Sequence, residues 1–125
     1  MRLVGQMAKE PSRFVTIPNI LGGNPADLHG RIVRTIGLLL RYDVNTSQIW
    51  IKDVTSLLEL AVDSSMIEPF PFRPNALYQF IGELDGSGRS GNTGGVVLKA
   101  HVYRCVDKLD LDVYMQAHTL RLQKT

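Results

Sequence analysis

Between residues 28 and 106, apolar and polar residues alternate in short runs, the period-2 pattern of half-buried β-strands. The longest run is LHGRIVRTIGLLLRYDV, Leu28 to Val44. Ile32, Ile36, Leu38 and Leu40 share one parity there, and Gly37 interrupts the run near its middle. A glycine inside a strand pattern marks a bulge or sharp bend, because no Cβ obstructs the turn. The pattern predicts a first strand bent at Gly37. A turn at 44–47 leads to Gln48–Asp53, with Ile49 and Ile51 on one face and Gln48, Trp50 and Lys52 on the other. Thr55–Asp63 alternates with Leu58, Leu60 and Val62 as its inward set. Pro69, Pro71 and Pro74 make residues 64–75 an irregular link with one helical turn at most; Phe70 and Phe72 are expected to plug an open end. Ala76–Leu84 reads as a fourth strand. Val96–Val106 reads as a fifth, with Val96, Leu98, Ala100 and Val102 inward and Lys99, His101 and Tyr103 outward. Between them, Asp85–Gly95 is glycine-rich, holds nothing apolar, and is expected to be mobile.

The ends differ in pattern. Residues 1–27 form an irregular arm, broken by Pro11, Pro18, Pro25 and Gly22-Gly23-Asn24. Phe14–Ile17 is expected to make a short strand, Ile20 and Leu21 to pack on the sheet, and the first nine residues to be mobile. Residues 107–125 read as a helix, with Asp110 as N-cap, Asp112 in the first turn, and Arg121 and Lys124 at the C-terminal end. Val113, Ala117 and Leu120 make one stripe, widened by Leu111, Tyr114, Met115, His118 and Leu122. A helix apolar on so much of its surface needs more than one neighbour. The order strand, strand, strand, link, strand, strand, helix is that of the five-stranded OB barrel. The expected fold is therefore all-β: a single domain with a five-stranded antiparallel OB-fold barrel at 28–106, a C-terminal α-helix, and the arm.

Composition narrows the function. At 125 residues the chain is long enough to bury its own core. A net charge of +2 does not by itself imply a nucleic-acid binder. A single cysteine, Cys105, rules out an internal disulfide framework and fits a reducing compartment. No apolar run approaches the roughly 18 residues of a membrane span, the N-terminus lacks the apolar core of a secretory signal, and no Lys/Arg run for nuclear import is visible.

Candidate chemistry is sparse. Gly86-Ser87-Gly88-Arg89-Ser90-Gly91 spells G-x-G-x-x-G, but a strand follows it rather than the helix a dinucleotide site requires. His29, His101 and His118 lack metal-ligand spacing, with one another or with Cys105. Helix capping accounts for Asp107, Asp110 and Asp112. No cofactor, metal or catalytic activity is expected. The outer faces say more. Trp50 shares its face with Gln48 and Lys52, and Tyr103 is placed with Lys99 and His101. Aromatics interleaved with bases are what an OB face uses to stack nucleobases and neutralise phosphates; covering the barrel or meeting a partner is the alternative. Arg34 shares its parity with Ile32 and Ile36, where a charge is costly unless paired. Either the bend puts it in water, or it pairs with an acidic residue of a partner.

Four blocks resemble one family in order and spacing. Arg34-Thr35-Ile36-Gly37-Leu38-Leu39-Leu40-Arg41-Tyr42-Asp43 is similar to the first strand of the Ten-one subunit of the CST telomere-capping complex. Ile67-Glu68-Pro69-Phe70 follows, then Leu77-Tyr78 leading to Ile81-Gly82-Glu83-Leu84, then Val96-Val97-Leu98-Lys99-Ala100 leading to Cys105-Val106. The helix pattern Leu111…Gln116-Ala117 closes a match over roughly residues 28–118. The resemblance implies a non-catalytic OB-fold subunit, similar to the smallest subunit of replication protein A, that pairs with the N-terminal OB domain of the Stn subunit. With the Ctc subunit, the pair forms a nuclear complex that binds single-stranded telomeric DNA, protects chromosome ends, and works with DNA polymerase alpha–primase in C-strand fill-in. It further implies that the C-terminal helix meets a helix of the partner. Arg34, Leu109, Val113, Tyr114, Ala117 and Leu120 are then the expected partner surface, with Trp50, Lys52, Lys99 and Tyr103 the candidate DNA contacts. The alternative is a free-standing single-stranded nucleic-acid-binding OB domain.

Overall fold

The computed structural model describes residues 13–88 and 95–106. The expected C-terminal helix, with Leu109, Val113, Tyr114, Ala117 and Leu120, lies outside the described residues, as do the first nine residues and 89–94 of the glycine-rich loop. Among the described residues, the arm holds β1 (Arg13–Phe14) and two short helices, α1 (Ile17–Gly22) and α2 (Pro25–Leu28). Pro18 and Pro25 start helices rather than merely interrupting the chain. Thr16 caps α1, accepting from the Asn19 N–H with Pro18 in the first turn, and Asn24 caps α2, accepting from the Ala26 N–H at 2.9 Å with Pro25 directly after it. The missing proline N–H is unpaired at a helix start anyway. Ile17 and Ile20 are fully buried, whereas Leu21 is exposed and does not pack as expected.

Five strands follow: β2 (Ile32–Asp43), β3 (Gln48–Lys52), β4 (Glu59–Asp63), β5 (Leu77–Asp85) and β6 (Val97–Cys105). With β1 they form one mixed sheet in the order β1-β2-β3-β4-β6-β5, and an additional β2–β5 pairing returns the ladder to β2. The expectation of a wholly antiparallel sheet is corrected: β4 and β6 pair in parallel, as do β1 and β2. The cause is arithmetical. Directions cannot alternate all the way round a ring of five strands, so one joint must be parallel.

β2 serves both halves of this ring. Ile32–Leu38 pairs with β5 and Leu38–Asp43 with β3. The irregularity is not at Gly37. Leu39 faces Ile51 and Arg41 faces Trp50, which makes Leu40 the extra, bulged residue. Gly37 instead provides room for packing. A Cβ there would come within 3.1 Å of Ile51 and 3.2 Å of Ile17, so its absence lets α1 and β3 close over the strand. The core row of β2 is Val33, Thr35 and Leu39, while Ile32, Arg34, Ile36 and Leu38 form the outer row. That outer row is apolar because it is itself partly covered. Ile36 packs with Leu77 and Val106, joined by Phe14, Leu38 and Val54, in a second cluster apart from the main core.

The main core gathers Ile17, Ile20, Leu39, Ile49, Ile51, Leu60, Val62, Phe80, Leu84 and Leu98 at 1% exposure or less. Burying side chains of this size contributes roughly 1.5–3 kcal/mol each. Phe70 is buried in the main core, touching Tyr42, Tyr78, Phe80 and Tyr103 through edge or tilted ring contacts, and Phe72 packs half-buried against that core. Two inward assignments are corrected. Leu58 is exposed because β4 starts only at Glu59; the Asp53 carboxylate first ties down the turn by accepting from the Thr55 and Ser56 N–H groups. Val102 is exposed because β6 carries a bulge: Ile81 faces Val102 but Gly82 faces Ala100, leaving His101 as the extra residue. Asp85, expected in the loop, is the buried last residue of β5.

Glu68 fastens the proline-rich link to the β2–β3 hairpin. Its carboxylate accepts from the hydroxyls of Tyr42, Ser47 (3.0 Å) and Ser64 (3.1 Å). The Tyr42 bond holds its pKa below the usual carboxylate value, burial opposes this, and the two serines reinforce it. Burial, then the bond to Glu68, pushes the Tyr42 pKa up. A depressed carboxylate pKa stabilises the fold above the unfolded value of 4.5, and the contribution disappears as pH falls through the folded value. A raised phenol pKa stabilises below 10.0, and is lost as pH rises through its folded value. Glu68→Gln should therefore lower the urea midpoint at pH 7, and by a smaller amount at pH 3. An equal loss at both pH values would show that the ionised carboxylate is not what fastens the link.

Candidate functional site

The outer face of β2, β3, β4 and β6 is built by register. Three rows cross it. Leu38, Lys52 and Glu59 form the first; Arg41, Trp50, Ala61 and Val97 the second; Asp43, Gln48, Asp63 and Lys99 the third. Gln48, Trp50 and Lys52 project outward as the alternation of β3 requires, while Ile49 and Ile51 are fully buried. Trp50 is half-buried, and its row does not stay open along its length: Ala61 and Val97 are 1% and 2% exposed.

The charges on this face balance. Arg41, Lys52 and Lys99 stand against Asp43, Glu59 and Asp63. The Arg41 guanidinium lies 4.9 Å from the Trp50 ring centroid and donates from Nη2 to Oε1 of Glu59 at 3.3 Å. Lys99 is likewise engaged, its Nζ 3.5 Å from Oδ2 of Asp85. That carboxylate is nearly buried and also accepts from the N–H and hydroxyl of Ser87, at 2.9 and 2.6 Å. A cavity of about 290 Å³ opens here, lined by Thr46, Ser47, Gln48, Asp63, Asp85, Val97 and Lys99. A polyanion would meet carboxylates as often as cations on this face.

Tyr103 is not part of it. The bulge at His101 inverts the alternation of β6 and turns Tyr103 toward Phe70, 4.9 Å away edge-on, and Tyr78. Trp50, Lys52 and Lys99 thus share a face, and the expected grouping of Tyr103 with Lys99 is corrected. Arg34 stands elsewhere, on the outer row of β2 between Ile32 and Ile36, opposite Phe14 on one side and Ile81 on the other. Residues 107–125 continue from Val106, which is buried with Ile36 and Leu77 on that side of the sheet. Sequence reasoning missed Arg41 and Glu59. Arg41 lies beyond the Leu40 bulge, and Glu59 meets it only through the β2–β3–β4 register; no local signal joins them.

Among the described residues, no group of three or more His, Cys, Asp or Glu side chains could hold a metal ion, and no helix is long and apolar enough to cross a membrane. Cys105 is exposed and carries a free thiol.

A family model described as telomere-capping, CST complex subunit matches residues 8–124. No curated protein matches the chain. Among solved structures, the chain is similar to telomere capping protein Ten1 from Saccharomyces pombe, at 15% identity and TM-score 0.66, over 90% of this chain and 98% of that one. It is similar to a chain of the S. pombe Stn1–Ten1 complex at 15% identity and TM-score 0.67, over 90% and 92%. It also resembles Ustilago maydis replication protein A bound to single-stranded DNA, at 12% identity and TM-score 0.59, over 90% and 88%. At such identities these likenesses carry the fold alone, that of an OB-type domain.

Proposed function

Because the chain belongs to the family of telomere-capping CST complex subunits, we propose that it is the small, non-catalytic OB-barrel subunit that pairs with the N-terminal OB domain of a Stn-type subunit. The pair joins a Ctc-type subunit in the nucleus at chromosome ends, binds single-stranded telomeric DNA as a complex, and supports C-strand fill-in with DNA polymerase alpha–primase. The observation that carries this reading is the family match over residues 8–124, which takes in both the sheet and the C-terminal segment.

The partner surface is Arg34 together with Leu109, Val113, Tyr114, Ala117 and Leu120. Its support is the i, i+4, i+7 spacing of Val113, Ala117 and Leu120 in the sequence and the departure of that segment from Val106, in the same outer cluster as the neighbours of Arg34. Trp50, Lys52 and Lys99 add modestly to DNA binding in the assembly. A stacked base is worth about 1–3 kcal/mol where stacking occurs, but the balanced charges of this face weaken phosphate attraction. The same balance disfavours a free-standing single-strand binder.

Co-expression with a Stn-type subunit tests the reading. The two chains should co-purify one to one, and the single chain should bind an oligonucleotide weakly. Failure to co-purify would overturn the assembly role. Tight, steeply salt-dependent binding by the chain alone, the mark of many phosphate contacts, would favour the free-standing binder.

A further inference from the structure

Arg41, Trp50 and Glu59 lie on three successive strands, β2, β3 and β4. Arg41 is directly opposite Trp50, while Glu59 is one row over, opposite Lys52. To reach Glu59 from β2, the guanidinium has to pass over β3, and it does so across the indole at 4.9 Å from the ring centroid. The Arg41 and Glu59 side chains are 59% and 42% exposed, so their 3.3 Å contact is made in water. Exposed pairs of this kind are weak and exchange partners readily. A guanidinium presents five N–H donors in a planar fork that suits phosphate as well as carboxylate, and an indole face stacks a nucleobase without regard to sequence.

We propose that Arg41 is the principal nucleic-acid-contacting cation among the described residues and that Glu59 is its built-in competitor. The ligand is a single-stranded nucleic acid that sets one base against Trp50 and a neighbouring phosphate against Arg41. Glu59 holds the guanidinium where that phosphate would bind and keeps the affinity of the single chain low. The proposal rests on the reading of the Trp50 face as a DNA contact of the assembly.

The test measures binding of the full chain to a fluorescein-labelled twelve-residue oligothymidylate by anisotropy across a sodium chloride series. Glu59→Gln, an exposed isosteric change whose fold is checked by circular dichroism, should raise affinity several-fold. It should also steepen the slope of log K against log salt by about 0.7, the value for one added phosphate contact on a single strand. Asp63→Asn removes the same charge from the same face without touching Arg41, and keeps an oxygen to accept from the Ser65 N–H; its gain should be much smaller. Adding Arg41→Gln to Glu59→Gln should abolish the gain. A Glu59→Gln gain no larger than that of Asp63→Asn, or one that survives Arg41→Gln, overturns the proposal. Trp50→Ala in the Stn-paired complex separates the two levels. If it weakens DNA binding while Glu59→Gln gains nothing, the competitor role alone fails. If it leaves DNA binding unchanged, the DNA face fails and the competitor role with it.

Discussion

Gly82→Ala is expected to destabilise the fold by about 4 kcal/mol or more, among the largest effects of a point substitution. A Cβ at residue 82 would lie 1.9 Å from the Lys99 carbonyl oxygen, 2.8 Å from its carbon and 2.9 Å from the Ala100 Cα. Every one of these atoms is backbone, so no rotamer change relieves the overlap. Overpacking that side chains can absorb costs typically 1–3 kcal/mol; here β6 itself must move. Gly82 faces Ala100 where the His101 bulge interrupts the β5–β6 ladder, and Phe80, Leu84 and Leu98 on the same two strands are at zero exposure. Shifting β6 therefore loosens both the ladder and the core. Total stability for a domain of this size is about 5–15 kcal/mol, so the variant keeps little reserve. Gly22→Ala is the control: nothing lies within 4 Å of its Cβ, and replacing glycine in a helix is neutral or mildly favourable. Urea denaturation followed by far-ultraviolet circular dichroism reads both. A wild-type midpoint for Gly82→Ala would mean that β5 and β6 do not approach so closely.

The largest expected effect on binding is that of Tyr114→Asp combined with Leu120→Asp, which should remove detectable pairing with the Stn-type subunit. In the proposed interface both positions are desolvated by the partner, and an unpaired charge buried there costs several kcal/mol. Large interface anchors alone are worth about 2–4 kcal/mol on truncation. A loss of two to three orders of magnitude in affinity follows. The ladder that returns to β2 is complete by Cys105, so the sheet should keep its circular dichroism signal in the isolated variant. Pull-down beside that spectrum is the measurement. Undiminished pairing would move the interface to another surface, and loss of the sheet signal would make the segment part of the domain's own core.

How far each strand could be read from sequence depended on what covers its two faces. β3 was legible because Gln48, Trp50 and Lys52 meet water while Ile49 and Ile51 meet the core. β2 kept its location but not its sides: Val33 and Leu39 line the core while Ile36 and Leu38 join a second apolar cluster, and two apolar faces leave parity nothing to separate. The bulges at Leu40 and His101 left no mark in the pattern either, yet each turned the residues beyond it to the opposite side. Candidate site residues inherited these errors. Trp50, Lys52 and Lys99 kept their face, Tyr103 lost it, and Arg41 gained one. The fastening role of Glu68 was not legible, because two of the hydroxyls that hold it, those of Tyr42 and Ser47, come from the β2–β3 hairpin and only Ser64 is its neighbour in the link.

The odd number of strands in the ring has a consequence for how the chain folds. The antiparallel joints β2–β3, β3–β4 and β5–β6 link strands that follow one another in sequence, so they can form from local hairpins and link-spanning contacts before the rest is in place. The β2–β5 joint and the parallel joint cannot. Residues 61–63 must find residues 97–99 across the whole intervening link, β5 and the glycine-rich loop, at the entropic cost of closing a long loop. The reward is only three residue pairs, against seven for β2–β5. This short parallel seam is thus the joint of the ring held by the fewest pairs, and its opening would uncover strand edges that the closed ring otherwise hides from other chains.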